Sequence, residues 1–175
     1  MTNKDKGLSE FEKLLEESDI DISKVLDEKN NKDENLLNQK SFQDIKVSLD
    51  DLYEKNNIED YFSHKKDGIQ TKVLDKLKNL KYKFSSNHII DLHGMTAKEA
   101  LIELNAFIKK NYQNQSKYIL IIHGKGLNNK EGVAPLKKLV QKFIINCDIA
   151  IASSSAHIKD GGYGATYVLL KNNHI

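Results

Sequence analysis

Apolar residues recur at strand or helix spacing through the second half of this chain, whereas the first half carries them only in short pieces. An uninterrupted apolar run at Tyr118–Ile122 predicts a central strand that is covered on both faces. Helical spacing predicts two longer helices, and the first begins with a capping box in which Thr96 is followed three residues later by Glu99. In chain order the predicted elements are strand 89–92, helix 96–112, strand 118–122, helix 134–145, strand 149–152 and strand 166–170.

This β-α-β-α-β-β order predicts an α/β fold with a mixed sheet in two or three layers, preceded by a largely helical or flexible N-terminal arm. Two right-handed crossover connections make the first three strands parallel. The carboxyl ends of parallel strands lie along one edge of a sheet. We therefore expect the loops that follow these strands to meet at that edge.

The first half of the chain predicts extensions of this domain. Residues 1–60 predict an acidic, partly disordered arm with short helices, among them an amphipathic helix at Leu8–Glu17. Residues 61–86 predict a basic amphipathic helix, at Asp67–Lys81, and a linker. The folded domain then occupies residues 87–171, and residues 172–175 form a tail.

The net charge of +2 hides a division along the chain. Residues 1–60 hold 9 lysines against 17 acidic residues, whereas residues 61–86 and 87–175 each carry a net charge of +5. All 27 basic residues are lysines, so phosphate contacts depend on ammonium point charges. The lysines of residues 65–83 fit either a solvated helix face or a nucleic-acid contact. The acidic arm fits a role in masking this basic surface or in docking onto a partner.

Composition also excludes some classes of protein. No apolar run approaches the about 20 residues that cross a bilayer, and the first residues are too acidic for a secretory signal. We therefore expect a cytoplasmic protein without a membrane partner. The single cysteine, Cys147, cannot form an internal disulfide, and the apolar residues before it predict a buried structural thiol.

The loop after the first predicted strand pairs a carboxylate with an imidazole. Residues two apart on a strand share a face, so Asp91 and His93 point together while Leu92 enters the core. A carboxylate fixes the tautomer of a neighbouring imidazole and raises its basicity, as general acid–base catalysis needs. Alone, such a pair is more often a strand end with a hydrogen-bonded histidine.

The other two loops at this edge are rich in glycine. His123-Gly124-Lys125-Gly126 follows the central strand, where its glycines free the backbone to approach a phosphate and Lys125 adds positive charge. Gly161-Gly162-Tyr163-Gly164 lies between the last two strands, with His157 upstream and the Tyr163 ring available for base stacking. Each loop alone also fits an ordinary turn, and it is their combination at one edge that favours a functional site.

These motifs, in this order, resemble those of the Smr (small MutS-related) domain family over about residues 87–171. Asp91–Gly94 resembles its Asp-Leu-His-Gly motif, His123–Gly126 its His-Gly-x-Gly motif, and Gly161–Val168 its closing Gly-Gly-x-Gly-Ala signature. The helix upstream is similar to the lead-in of stand-alone bacterial Smr proteins. The resemblance implies a fold similar to the C-terminal domain of translation initiation factor 3. It also implies nicking or cleavage of DNA or RNA, in some relatives on messenger RNA at ribosomes.

The resemblance and the loops together define the candidate site. The catalytic candidates are Asp91, His93 and His123. The candidates for substrate contact are Gly94, Gly124, Lys125, Gly126, His157, Gly161, Gly162, Tyr163 and Gly164. In our hypothesis His93, oriented by Asp91, moves the proton of the attacking hydroxyl, and His123 or Lys125 stabilises phosphate charge.

Cofactor and partner expectations follow from the same residues. Asp91 is the only obvious carboxylate at the edge, so we expect no required metal or other cofactor and leave a divalent cation open. The expected partner is DNA or RNA, with a ribosome contact through the N-terminal arm as an additional interpretation. The alternative function is a non-catalytic module that binds nucleic acid or the ribosome without cutting a strand.

Overall fold

The computed structural model describes residues 44–54, 61–126 and 133–172. The helices and strands of these residues are β1 Ser63–Lys65, α1 Thr71–Lys78, β2 Ile89–Asp91, α2 Ala97–Gln113, β3 Tyr118–Ile122, α3 Pro135–Asn146, β4 Ala150–Ser155 and β5 Ala165–Leu170. The helix predicted at Leu8–Glu17 lies outside the described residues. Within the described ranges, no helix is long and apolar enough to cross a bilayer.

The strands form one mixed sheet in the order β1-β4-β5-β3-β2. Strands β2 and β3 pair in parallel, whereas β5 is antiparallel to both of its neighbours, β3 and β4. Strands β2, β3 and β4 therefore run in the same direction, as the sequence predicts, although β5 lies between the last two. Their carboxyl ends share one edge of the sheet, which we call the rim, and the loops at this edge are residues 92–94, 123–126 and 156–164.

Both faces of the sheet are buried. On the first face, Leu77 of α1 joins a cluster with Leu120, Tyr167 and Leu169 of the sheet. Strand residues alternate between faces, so Ile119 and other residues out of phase with this cluster point to the second face. There Ile119, Ile121 and Val168 are fully buried, α3 contacts β4, and α2 packs on α3. The fold thus has three layers, in agreement with the predicted α/β class.

Helix α2 begins with the predicted capping box. The Thr96 hydroxyl accepts the backbone N–H of Glu99 at 3.3 Å, and the Glu99 carboxylate accepts the backbone N–H of Thr96 at 2.9 Å. These hydrogen bonds satisfy donors that a helix start leaves unpaired. The Thr96 backbone N–H and hydroxyl, which both donate to the Glu99 carboxylate, lower the pKa of Glu99. Because the box comes directly after the Asp-Leu-His-Gly motif, it fixes where that loop ends.

The segment predicted as helix and linker also contains an edge strand. Ser63, His64 and Lys65 pair antiparallel with β4, although their polar sequence shows no strand alternation. Helix α1 begins at Thr71, four residues later than predicted, because the chain first turns through Gly68, which has a φ of 80°. Sequence periodicity missed β1 because its strand pairing comes from the backbone.

Residues 44–54 belong to the folded unit, although the predicted arm included them. The Ile45 backbone N–H donates to Asn105 Oδ1 at 2.8 Å, and Asn105 Nδ2 donates to the Ile45 carbonyl at 3.1 Å. Leu52 is fully buried, and the Lys138 ammonium donates to the Glu54 carbonyl. The folded unit therefore starts near Asp44.

The cysteine prediction is confirmed. Cys147 is buried just after α3, and this burial raises the pKa of its thiol. A thiol with a raised pKa forms little thiolate at neutral pH and is a poor nucleophile. Cys147 therefore contributes packing and no chemistry at the rim.

Candidate active site

An acid–imidazole pair stands at the end of β2. His93 Nδ1 lies 2.6 Å from Asp91 Oδ1, and the backbone N–H of His93 donates to the same oxygen at 3.1 Å. Leu92, between them, is fully buried, so strand alternation separates the core side chain from the polar pair. The predicted sharing of one face by Asp91 and His93 is confirmed.

The hydrogen bond decides which nitrogen of His93 faces outward. A carboxylate only accepts, so the proton of the short contact lies on Nδ1, and Nε2 is the nitrogen that faces away from Asp91. The side chains of His93 and Asp91 are 74% and 45% exposed. Gly94 follows with a φ of 79°, in the left-handed region that favours glycine. A solvent-facing imidazole nitrogen can take or give a proton to a bound molecule.

The loop after β3 lies against this pair. A Cβ placed on Gly124 would lie 4.0 Å from the His93 Cβ, so Gly124 lies next to the base of the His93 side chain. The φ of Gly124 is 77°, in the left-handed region that favours glycine. The first two predicted motifs therefore meet at the rim.

The closing loop lies against the loop after β3. The Gly164 carbonyl accepts the backbone N–H groups of both His123 and Gly124 at 2.9 Å. A Cβ on Gly164 would lie 3.1 Å from Lys125 Cγ and 3.3 Å from the Lys125 nitrogen, so glycine permits this close approach. All three motifs thus converge on one edge of the sheet, with the Lys125 side chain exposed beside them.

His123 lies beneath the rim and not on it. The residue is only 4% exposed; its Nδ1 lies 2.9 Å from the Gly124 carbonyl and its Nε2 lies 3.0 Å from the Thr166 hydroxyl. A carbonyl only accepts, so Nδ1 carries the proton and Nε2 accepts from Thr166. Desolvation lowers the pKa of His123 to about 4, with a further lowering from Lys137 and an opposing hydrogen bond to Gly124. A neutral ring with both nitrogens engaged braces the loop and is not placed to contact a phosphate.

Two residues that support His123 were missed by the motif analysis. Thr166 belongs to the closing signature, and its hydroxyl was overlooked because it was assigned only to a strand. Lys137, in the first turn of α3, is buried and close enough to lower the pKa of His123. Lys137 lies on the same side of the helix as Val140 and Ile144, which are both fully buried. Helical spacing could therefore have predicted that Lys137 faces the core.

The closing loop holds the other substrate-contact candidates. Gly162 has a φ of 59°, and its N–H donates to the His157 carbonyl at 3.0 Å. His157 Nδ1 accepts the Lys159 N–H at 3.4 Å, so this imidazole caps its own loop while its side chain remains exposed. Tyr163 is exposed at the surface, as a stacking residue would be.

The buried Tyr167 anchors this loop through Asp160, which is partly exposed. The Tyr167 hydroxyl donates to the Asp160 carboxylate, and desolvation together with this bond raises the pKa of Tyr167 to about 12. Gly161 has a φ of 111° and is packed so closely that a Cβ there would lie 2.8 Å from the Ala165 Cβ. The loop is therefore held in one shape by contacts that the motif analysis did not predict.

Gly126 has a packing role. A Cβ on Gly126 would lie 2.5 Å from the Ala134 Cβ, and its φ is 73°. The glycine thus lets the loop after β3 pass close to the start of α3. Across the described part of the chain, no group of three or more His, Cys, Asp or Glu side chains is arranged to hold a metal ion.

Comparison with known proteins agrees with this geometry. The family model described as "Smr domain" matches residues 90–171. "Probable DNA endonuclease SmrA" of Escherichia coli is 30% identical over 107 residues, which are 61% of this chain and 56% of that protein. "Endonuclease NBR9" of Saccharomyces cerevisiae is 41% identical over 59 residues, which are 34% of this chain and 25% of that protein. The matches thus span about half of the first relative and a quarter of the second.

A solved structure extends the similarity to the fold. The crystal structure of YdaL, a stand-alone small MutS-related protein from Escherichia coli, has a TM-score of 0.59 and 26% identity, and it covers 74% of this chain and 94% of that chain. This likeness agrees with the mixed sheet and helices described above. The chain therefore carries an Smr domain at residues 90–171, which confirms the family resemblance of its three motifs.

Proposed function

We propose that this protein is an endonuclease that cleaves a phosphodiester bond of DNA or RNA at the rim. The observation that carries this proposal is the exposed His93 imidazole, hydrogen-bonded to Asp91 at 2.6 Å beside the Gly124 backbone. Relatives named as endonucleases support the same class of activity. The exposed ammonium of Lys125 supplies a positive charge for the phosphate.

With RNA as substrate, His93 Nε2 takes the proton of the 2′-hydroxyl next to the cleaved bond. The 2′-oxygen bonds to the adjacent phosphorus, and the bond from phosphorus to the 5′-oxygen breaks. The products are a 2′,3′-cyclic phosphate and a 5′-hydroxyl, whose proton comes from solvent at this open rim. Asp91 keeps the proton of the ring on Nδ1 and stabilises the imidazolium that forms.

With DNA as substrate, water replaces the missing 2′-hydroxyl as the nucleophile. His93 takes the proton of that water, and the cut ends are a phosphate and a hydroxyl. The two substrates therefore leave different ends. The route through the 2′-hydroxyl uses only side chains named above, so we propose that RNA cleavage needs no divalent cation.

In this proposal His123 acts by positioning. Its hydrogen bonds to the Gly124 carbonyl and the Thr166 hydroxyl tie the loop after β3 to β5. That tie keeps Gly124 beside His93 and Lys125 at the surface. We therefore propose that His123 does not transfer protons, although the sequence analysis placed it among the catalytic candidates.

The test is a single-turnover cleavage assay on end-labelled RNA and DNA, with and without EDTA, followed by analysis of the ends. General acid–base catalysis contributes about 100- to 10,000-fold to rates. His93→Ala should therefore slow cleavage at least about 100-fold and bind substrate within a few-fold of the wild type. Asp91→Ala should also slow cleavage strongly, because Nδ1 loses its acceptor.

Asp148→Ala is the matched control. Its carboxylate is fully exposed near the start of β4, at the opposite edge of the sheet from the rim, and its nearest cation is Lys66 at 3.9 Å. This variant should cleave at the wild-type rate. Cleavage by His93→Ala at the wild-type rate would refute the assignment of His93.

The second candidate function is a module that binds nucleic acid without cutting it. The observation that favours it is the exposure of the rim, because catalytic electrostatics are strongest where water is excluded. In that case, wild-type protein would leave RNA and DNA intact with and without divalent cations. Its binding would still weaken steeply as salt is raised.

A further inference from the structure

A second basic surface lies on the α1 face of the sheet, at the edge opposite the rim. It is formed by Lys81, Tyr82, Lys83, Lys117 and Tyr118, and we call it the lysine–tyrosine face. The three lysines and Tyr82 are exposed. None of these residues belongs to the three motifs, and Lys117 and Tyr118 stand at the amino end of β3.

Among the described residues, few carboxylates lie near this face in the sequence. Residues 71–88 hold five lysines and one acidic residue, Asp75. Within the described residues, Lys81, Lys83 and Lys117 form no ion pair with a carboxylate. A local excess of ammonium groups attracts a polyanion and is the electrostatic footprint of nucleic-acid binding.

The aromatic rings of this face are held in place from below. The Tyr82 ring packs edge-on against Phe84 with centroids 4.9 Å apart, and it lies 5.4 Å from the Tyr118 ring. Phe84 in turn stacks on the buried Tyr167, with centroids 5.7 Å apart. Tyr82 nevertheless remains 37% exposed, so part of a fixed ring is open to solvent.

Lysines and aromatic rings already interleave on this side of the molecule. The Lys117 ammonium lies 5.4 Å from the Tyr118 ring centroid, and the Lys78 ammonium lies 5.7 Å from the Tyr61 ring centroid. Proteins that bind single strands without sequence preference use this combination. Their lysines follow the phosphates, and their aromatic rings stack on bases.

We propose that the lysine–tyrosine face binds the nucleic-acid strand that flanks the bond at the rim. Lys81, Lys83 and Lys117 contact its phosphates, and Tyr82 stacks on a base. This inference rests on the proposed nucleic-acid function and adds a second binding region to it. The contact recognises a single strand through charge and stacking, without reading its sequence.

The size of the sheet sets the length of strand that can reach both regions. Strand β3 has five residues, so at about 3.3 Å per residue its amino end lies about 16 Å from the rim. A stacked strand advances about 3.4 Å per nucleotide, so about five nucleotides span this distance. A 6-nucleotide strand centred on the rim therefore does not reach the face, whereas a 20-nucleotide strand does.

The test measures the affinity of the full chain for fluorescent 6- and 20-nucleotide single strands over a range of salt concentrations. The face variant is Lys81→Ala/Lys83→Ala/Lys117→Ala. For a single strand, the slope of log affinity against log salt concentration becomes shallower by about 0.7 for each phosphate contact that is lost. The slope for the 20-nucleotide strand should therefore become shallower by about 2, and its affinity should fall at least tenfold at moderate salt.

The matched control removes three exposed lysines on the α2 side, in the variant Lys46→Ala/Lys109→Ala/Lys110→Ala. It changes the net charge equally, and it should keep the gain in affinity that the wild type shows from 6 to 20 nucleotides. The Tyr82→Leu variant keeps an apolar side chain over Phe84 and should lower the affinity for the 20-nucleotide strand fivefold or more. Unfolding curves of all variants check that the fold is retained.

Equal losses in the face and control variants would overturn the proposal, because net charge alone would then explain them. Retention by the face variant of the full gain in affinity that the wild type shows from 6 to 20 nucleotides would also overturn it. These outcomes are distinct from failure of the endonuclease proposal. That proposal fails if the wild type cuts no strand, whereas the face is judged by binding alone.

Discussion

Acid should destabilise this protein through His123, and replacing that residue by asparagine should remove the effect. Desolvation lowers the pKa of His123 from 6.5 to about 4 in the folded protein. As the pH falls below the unfolded value, the unfolded chain gains a proton that the folded protein does not bind. Stability is therefore fully present above the unfolded pKa and is lost as the pH falls from about 6.5 towards about 4.

The size of this effect follows from the two pKa values. Because proton binding is coupled to unfolding, this difference in pKa lowers the free energy of unfolding by about 2 kcal/mol between pH 7 and pH 5. Because His123 is almost fully buried, solvent screening does not reduce this figure much. At about 2 kcal/mol per molar urea, the urea midpoint should fall by about 1 M.

The assay is urea unfolding of the wild type and His123→Asn at pH 7 and pH 5, followed by circular dichroism. The asparagine amide also offers an N–H donor and an oxygen acceptor, but it does not titrate. Burial and Lys66 also lower the pKa of His64, whose titration occurs in both proteins and cancels in the comparison. If the midpoint of His123→Asn falls as far as that of the wild type, the assignment of a neutral, buried His123 is refuted.

Four further substitutions test the packing of the fold and of the loops at the rim. Leu52→Ala should lower the free energy of unfolding by about 2–4 kcal/mol in urea unfolding, because Leu52 is fully buried; a loss below about 1 kcal/mol would exclude residues 44–54 from the folded unit. Tyr167→Phe removes the hydrogen bond to Asp160 and should cost about 1–2 kcal/mol. It should also raise amide hydrogen exchange in residues 157–164, and unchanged exchange would contradict the anchoring role. Gly126→Ala should destabilise the protein more than Gly162→Ala. Both positions have a positive φ, but only a Cβ at position 126 would lie 2.5 Å from another carbon, the Ala134 Cβ. Equal urea midpoints of the two variants would count against the close packing on Ala134.

Most helices and strands of the domain could be predicted because their apolar residues follow a clear period. The run at Tyr118–Ile122 and the capping box at Thr96 each specify local structure by themselves. The order of strands was less accessible, since β5 inserts between β3 and β4 through pairing of residues distant in sequence. Strand β1 and the segment around Ile45 were missed because backbone hydrogen bonds to β4 and Asn105 hold them in place.

Strand periodicity also predicts part of the candidate site. Alternation along β2 correctly separates Asp91 and His93 from the buried Leu92. Applied to β3, the same rule puts His123 in phase with Ile119 and Ile121, both fully buried, and indicates a buried ring. The glycines after His123 favoured a ligand-binding interpretation of this residue, whereas the two-residue period of the strand indicates its burial. The hydroxyl of Thr166 that completes this environment depends on the register between β3 and β5.

The central claim is that His93 supplies the reactive nitrogen at the rim, and chemical rescue tests it most directly. His93→Gly removes the imidazole, and its exposed position leaves space for free imidazole to enter from solvent. We predict that this variant cleaves RNA at least about 100-fold more slowly than the wild type. Added imidazole should restore cleavage in proportion to its concentration. Cleavage by His93→Gly at the wild-type rate without imidazole would contradict the claim.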